Sequence, residues 1–236
     1  MMIPTRWRKL LRDFDAIQGR IMMAIAAIAL GIFAVALIGT AYAVLTREIS
    51  SNYLATNPAS AIIDVGAVDP KVVELIRENP AISDVEATSI VTARIELRRD
   101  EWIPLLLFVI PDFSELRINK VTPQAGDWPP PEGTILFERE ALKLLGRTLG
   151  DKVDVQMPSG RTTSIVVSGA VHDPALAPAW QEQMAYGYVT PETFAAMGGN
   201  PVPELLKVVV KDAVHDQAKV DATITSLAAT LTKQGH

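Results

Sequence analysis

The sequence predicts an α+β protein in which an N-terminal transmembrane helix is followed by a split βαβ layer carrying an inserted β-rich subdomain. Three observations lead there. No residue from Ile21 to Leu45 is charged. Strand-like and helix-like patterns alternate before residue 111 and again after 200. Between those points the chain shows short alternating apolar runs separated by Gly, Pro and Asp. The expected division is a basic cytoplasmic segment (1–20), a transmembrane helix (21–45), a helical extension (46–58), an α/β subdomain (59–111 with 201–236) and the insert (112–200).

At ~1.5 Å rise per residue the uncharged run reaches roughly 37 Å as a helix, enough to cross a hydrocarbon core of about 30 Å with some tilt. Arg6, Arg8, Lys9, Arg12 and Arg20 precede it against Asp13 and Asp15, whereas Arg47 beyond it is offset by Glu48. Basic flanks stay in the cytoplasm, so the N-terminus is expected inside and the main domain outside. Trp7 and Tyr42 suit the inner and outer interfaces. Ala41-Tyr42-Ala43 resembles a signal-peptidase site, but the apolar run far exceeds a secretory h-region, which favours an uncleaved anchor.

In the main domain the first strand is expected over Ser60–Val65. Asp69-Pro70 then opens a helix with Val72, Val73 and Ile76 on its apolar face, and Asn79-Pro80 closes it. Ile90–Leu97 alternates as a half-buried strand. Arg98–Glu101 turns it into Ile103–Ile110, a buried strand whose Pro104 consigns its first part to an edge. In the insert, Thr134–Phe137 is a strand, Glu138–Leu145 a helix stopped by Gly146, and Lys152–Met157 with Thr162–Val171 a hairpin. Gln183–Val189 is a further strand, followed by a short helix from Thr190 to Met197. Glu204–Val210 and a helix from Val214 to Thr232 return to the α/β pattern. Strand–helix–strand before the insert and strand–helix after it make a split βαβ unit, which is expected to close with one more strand.

Several chemistries are excluded or disfavoured. With no cysteine there is no disulfide, thiolate ligand or thiol nucleophile. The chain carries 22 Lys+Arg against 27 Asp+Glu, and the basic start leaves the remainder more acidic still, which argues against nucleic acid. Of the three histidines, His215 stands beside Asp216 at the start of the last helix and reads as a solvated cap, His236 ends the sequence given, and His172 is followed by Asp173 in the insert. Adjacent residues in a strand point to opposite faces, so a loop anchor fits this pair better than a metal site. Ser159-Gly160 and Ser168-Gly169 lack a Gly-x-Ser-x-Gly elbow, and both phosphate-binding glycine motifs are missing. No catalytic residue, cofactor or metal is expected. The candidate partner or substrate contacts are Trp102, Phe108 and Trp128: the first two belong to the apolar stretch through Ile110, for which a core strand competes with an exposed patch, and the third lies in a Pro-rich loop that otherwise serves as a rigid connector.

The order of motifs resembles the N-terminal half of the FtsX-type permeases of ABC transporters, the group that includes MacB and the lipoprotein-release permeases. The resemblance lies in Trp7-Arg8-Lys9-Leu10-Leu11-Arg12, Ile28-Ala29-Leu30-Gly31-Ile32-Phe33, the strand–helix through Asn79, Pro111-Asp112-Phe113, Gly126-Asp127-Trp128-Pro129-Pro130, Gly150-Asp151-Lys152-Val153 and Val171-His172-Asp173. It implies an inner-membrane protein whose outer domain combines a porter-like α/β layer with an inserted β-rich lobe, and which binds substrate or a partner or relays motion from a cytoplasmic ABC ATPase. A second permease copy, a periplasmic partner and the lipid bilayer are the other partners it implies. It further implies three more membrane helices and a coupling helix, making these residues a fragment or a truncated product. The competing readings are a single-span membrane-anchored sensor or adaptor and a membrane-tethered hydrolase.

Overall fold

The computed structural model describes residues 5–213 and 216–233, with side chains for 18–47, 52–213 and 216–230. The chain forms two compact units, Met1–Ser51 and Asn52–His236. In the first, α1 (Thr5–Ala55) exposes every described side chain, Leu30, Phe33 and Leu37 among them. An all-round apolar helix that buries nothing within its own chain has the length and composition of a bilayer span. The proposed seat of Trp7 lies outside the described side chains.

The second unit begins with the split layer. β1 (Ala61–Asp64), α2 (Pro70–Arg77) and the first half of β2 (Ile82–Arg98) lead out of it; β9 (Leu205–Val210) and α6 (Gln217–Lys233) complete it. The Asp69 carboxylate caps α2 by accepting from the Lys71 amide at 2.8 Å, and Pro70 occupies the first turn, where no donor is needed. The strand order is β1-β9-β2, with β9 antiparallel to both neighbours. β1 and β2 are therefore parallel and separated by a strand made much later, as a split βαβ requires. Val72, Ile76, Val85, Leu206, Val208, Val220 and Leu227 bury one sheet face beneath the helices. β1 pairs only with β9 among the described residues. Its other edge is where the expected closing strand would add.

β2 is longer than the Ile90–Leu97 expected for it. Its first half runs beside β9 through a register shift between Ile82 and Asp84, which breaks the alternation on which a strand is recognised. Its second half pairs with β3 (Glu101–Val109). From there the sheet continues through β8 (Ala185–Val189), β5 (Thr134–Glu138) and β7 (Thr162–His172). β6 (Lys152–Gln156) pairs with β7 and also with β2, through Arg94↔Gln156 and Ile95↔Val155. The ring β2-β3-β8-β5-β7-β6 thus closes into a six-stranded barrel, which removes its free edges. Ile95, Leu105, Leu107, Ile135, Phe137, Val155 and Val167 lie in its core at zero exposure. Pro104 is exposed and precedes the β3–β8 ladder, which starts at Leu105↔Ala185, so its missing amide takes no bond from that ladder.

Two elements lie in stretches to which the sequence assigns none: β4 (Thr122–Gly126), which adds to β7, and α4 (Ala179–Glu182). Gly126 sits at φ +81°, and a Cβ there would lie 2.1 Å from the Ser168 carbonyl oxygen, so the β4–β7 approach requires glycine. The last helix is described from Gln217; Val214 and His215 lie outside the described residues. Residues 93–110, placed by sequence with the α/β subdomain, pack in the barrel's cluster, so the division between the two cores falls within β2.

Candidate functional site

The sheet face turned away from α2 and α6 carries the cross-strand row Ile62–Lys207–Glu86, on β1, β9 and β2. Lys207 is only 7 % exposed, and its ammonium has no hydrogen bond or ion pair among the described residues. Segment 110–121 crosses over this face. It is held by the Glu86 carboxylate, which accepts from the amides of Arg117 and Ile118, and by Arg117 Nε at 3.3 Å from Asp84. Asn57 Nδ2 donates to the Arg117 carbonyl at 2.9 Å, and the Asn119 and Lys120 amides donate to the carbonyls of Asn57 and Thr56. Phe113 and Ile118 are buried beneath the segment.

The barrel contributes a second carboxylate. Asp173, 6 % exposed, accepts from the Tyr188 hydroxyl at 2.8 Å and from the Ala175 amide at 2.9 Å. It anchors the loop after β7, as expected for a loop anchor. Tyr188 stacks on Phe108 with ring centroids 5.0 Å apart. Next to this pair, buried Glu138 caps α3 (Arg139–Leu145) and lies 3.4 Å from His172 Nδ1. Among the described residues no three His, Asp or Glu side chains gather as a metal site. His215 and His236 lie outside them. Ser168 Oγ accepts from Thr134 Oγ1 at 2.9 Å and faces no histidine.

Two cavities meet at Lys207. One, of ≈ 240 Å³, is walled by Ile90, Leu106, Phe108, Asn119, Asp173 and Leu176 among others. The other, of ≈ 340 Å³, runs along the free edge of β2 beside α2 and segment 110–117. Both share Ile110, Leu116 and Lys207 as walls. Of the three aromatic candidates, Phe108 lines the smaller cavity. Trp102 is half-buried opposite Glu96, and Trp128 packs edge-on to Phe113 at 5.1 Å; neither lines a cavity at Lys207. Sequence reasoning passed over Lys207, Glu86 and Tyr188. The available signal was a single charge inside the apolar run Leu205–Val210.

Burial is the dominant influence on all three charges. It pushes the Glu86 and Asp173 carboxyls up, against their hydrogen bonds and the Lys207 charge, and pulls the Lys207 ammonium down, against both carboxylates. Burial, then the Asp173 charge, lifts the Tyr188 phenol well above its usual range. A carboxyl whose folded pKa is raised holds its proton more tightly when folded. Its contribution to stability is therefore greatest at or below the unfolded value of 3.8 and is lost as pH rises through the folded one. Asp173→Asn does not titrate. The stability advantage of wild type over this variant is expected to shrink as pH rises from 3.8 through the folded pKa of Asp173, as read from urea midpoints of both proteins at each pH. A constant difference would show that Asp173 ionises as freely as in solvent. The comparison with the variant matters because Glu140 and Asp151, whose pKa values are lowered by hydrogen bonds to Lys143 and Thr148, tilt the absolute curve the other way.

The chain is thus a membrane-length apolar helix followed by a mixed α/β domain in which a split βαβ layer and a closed barrel share one strand. Solved structures similar to it include the extracellular domain of the noncanonic ABC-type transporter YknZ from Gram-positive bacteria, at 14% identity, covering 66% of this chain and 80% of that one with a TM-score of 0.44. The periplasmic region of MacB from Actinobacillus actinomycetemcomitans is similar at 13% identity, covering 73% of this chain and 75% of that one, with a TM-score of 0.44. No family model matches the sequence. No curated protein matches it either.

Proposed function

We propose that this chain is the anchored, non-catalytic outer part of an ABC transporter permease. Its N-terminus would lie in the cytoplasm, α1 in the inner membrane and residues 52–236 outside. The porter-like layer would comprise β1, α2, the first half of β2, β9 and α6, and the lobe the barrel that begins within β2 rather than at residue 112. The observation that carries this reading is topological: the lobe enters between the second and third strands of a split βαβ layer of order β1-β9-β2, the arrangement implied by the motif resemblance.

The shared strand gives the domain a means of relaying motion. β2 contributes Ile82 and Val85 to one core and Ala93 and Ile95 to the other. A displacement of the layer is carried into the barrel along continuous backbone, with no flexible linker to absorb it. Trp102, half-buried near the start of β3, Phe108, in the wall of the smaller cavity, and Trp128, packed on Phe113, are the proposed partner or substrate contacts. A cytoplasmic ABC ATPase and a second permease copy are the remaining proposed partners. Affinity purification of the native protein in mild detergent is expected to bring down an ABC ATPase, identified by mass spectrometry. Recovery without any ATPase, from cells that express one beside it, would remove the transporter reading.

A further inference from the structure

We propose that the cavity beside Lys207 binds an uncharged molecule with an apolar body and an accepting oxygen, such as the amide or ester of a medium-length acyl chain. The chemistry of the walls sets each part of that description. Ile90, Leu106, Phe108 and Leu176 provide a surface that favours hydrocarbon. Lys207 is more than nine-tenths buried and borders the cavity, yet none of its three donor protons meets an acceptor among the described residues. Asn119 adds a second unanswered donor: its Oδ1 takes the Ala59 amide at 3.4 Å, which leaves Nδ2 without an acceptor among the described residues.

The neighbouring carboxylates do not compete for a ligand's protons in the same way. Glu86 accepts two backbone amides, and Asp173 an amide and a hydroxyl. What Lys207 Nζ and Asn119 Nδ2 lack is an acceptor within hydrogen-bond reach among the described residues. The ligand is uncharged because Glu86 and Asp173 already place two negative charges around one ammonium, and a carboxylate would add a third in a buried setting. A carbonyl oxygen accepts from these donors at the cavity wall without that repulsion. The site works equally in a transporter domain or in another anchored module, so its failure leaves the permease reading standing.

The test is photolabelling of the full chain in lipid nanodiscs with octanamide carrying a terminal diazirine, alongside the matching octanoic acid probe, with labelled peptides mapped by mass spectrometry. The octanamide probe is expected to label residues 90–110 and 173–176, to be displaced by unlabelled octanamide, and to outperform the acid. Lys207→Met is expected to cut this labelling about tenfold, the equivalent of one lost hydrogen bond to a charged donor. Leu176→Trp, which fills the cavity and leaves the lysine in place, is expected to abolish it, and keeps the test decisive should the methionine variant unfold. Labelling confined to α1, labelling unchanged in both variants, or stronger labelling by the acid would each overturn the proposal.

Discussion

Tyr188→Ala is expected to destabilise residues 52–236 by about 3–5 kcal/mol, the range for deleting a large buried aromatic. That is a substantial part of the 5–15 kcal/mol by which domains are typically stable. Tyr188 is 2 % exposed, pairs across the sheet with Phe108 on one side and Leu136 on the other, and stacks on the Phe108 ring. Its removal leaves a cavity on the outer face of the barrel, next to Phe108, and takes from Asp173 one of its two donors. Tyr188→Phe separates the two effects. It keeps the ring and is expected to cost about 1–3 kcal/mol, the penalty for a buried acceptor deprived of its donor. That smaller cost should shrink further at acid pH, where Asp173 becomes neutral by taking up a proton. Urea unfolding followed by far-ultraviolet circular dichroism measures both. A Tyr188→Ala protein unfolding within about 1 kcal/mol of wild type would be incompatible with tight packing of this ring between the barrel wall and the loop after β7.

The parts of the fold that were legible in the sequence are those whose cause is local. Asp69-Pro70 and Thr190-Pro191 announce α2 and the helix Pro191–Ala196 because a cap and a first-turn proline act within a few residues. Gly146, at φ +61°, ends α3 for the same kind of reason. The Lys152–Gln156 and Thr162–His172 hairpin shows its period and its turn together. What escaped depends on partners far along the chain. The first half of β2 is a strand because β9, more than a hundred residues later, pairs with it. β4 is fully exposed and acquires its strand character only from the β7 edge. Closure of the barrel rests on two residues of β6 meeting β2, which no alternation reveals.

The candidate site illustrates the same limit. Trp102, Phe108 and Trp128 stood out because large aromatics are conspicuous in a sequence. Lys207 did not, because a lone lysine in a strand ordinarily points to water. It becomes informative only when Ile62 and Glu86 are seen in its row and segment 110–121 is seen to cross above it.

The double substitution Phe33→Arg with Leu37→Arg is expected to release the chain from the membrane. The two positions lie one helical turn apart near the middle of the uncharged run, at 63 % and 59 % exposure, so neither contributes to packing that the change would disturb. On insertion scales Leu and Phe favour the helix centre by about 0.3–0.6 kcal/mol each and Arg opposes it by about 2.5–3.5, so the pair costs about 6–8 kcal/mol. Snorkelling lowers this figure, but a central arginine must reach about 15 Å to either interface, which its side chain cannot do without distorting the bilayer. Moving the same two arginines to Tyr42 and Val44 provides the control, since at the outer edge of the run their guanidinium groups reach the headgroups and anchoring should persist. Alkaline carbonate extraction of cell membranes distinguishes the outcomes. Wild type and the edge variant are expected in the pellet and the central variant in the supernatant. Equal retention of all three would mean that something other than the Ile21–Leu45 run holds the protein to the bilayer, and release of the wild type would mean that α1 is no anchor.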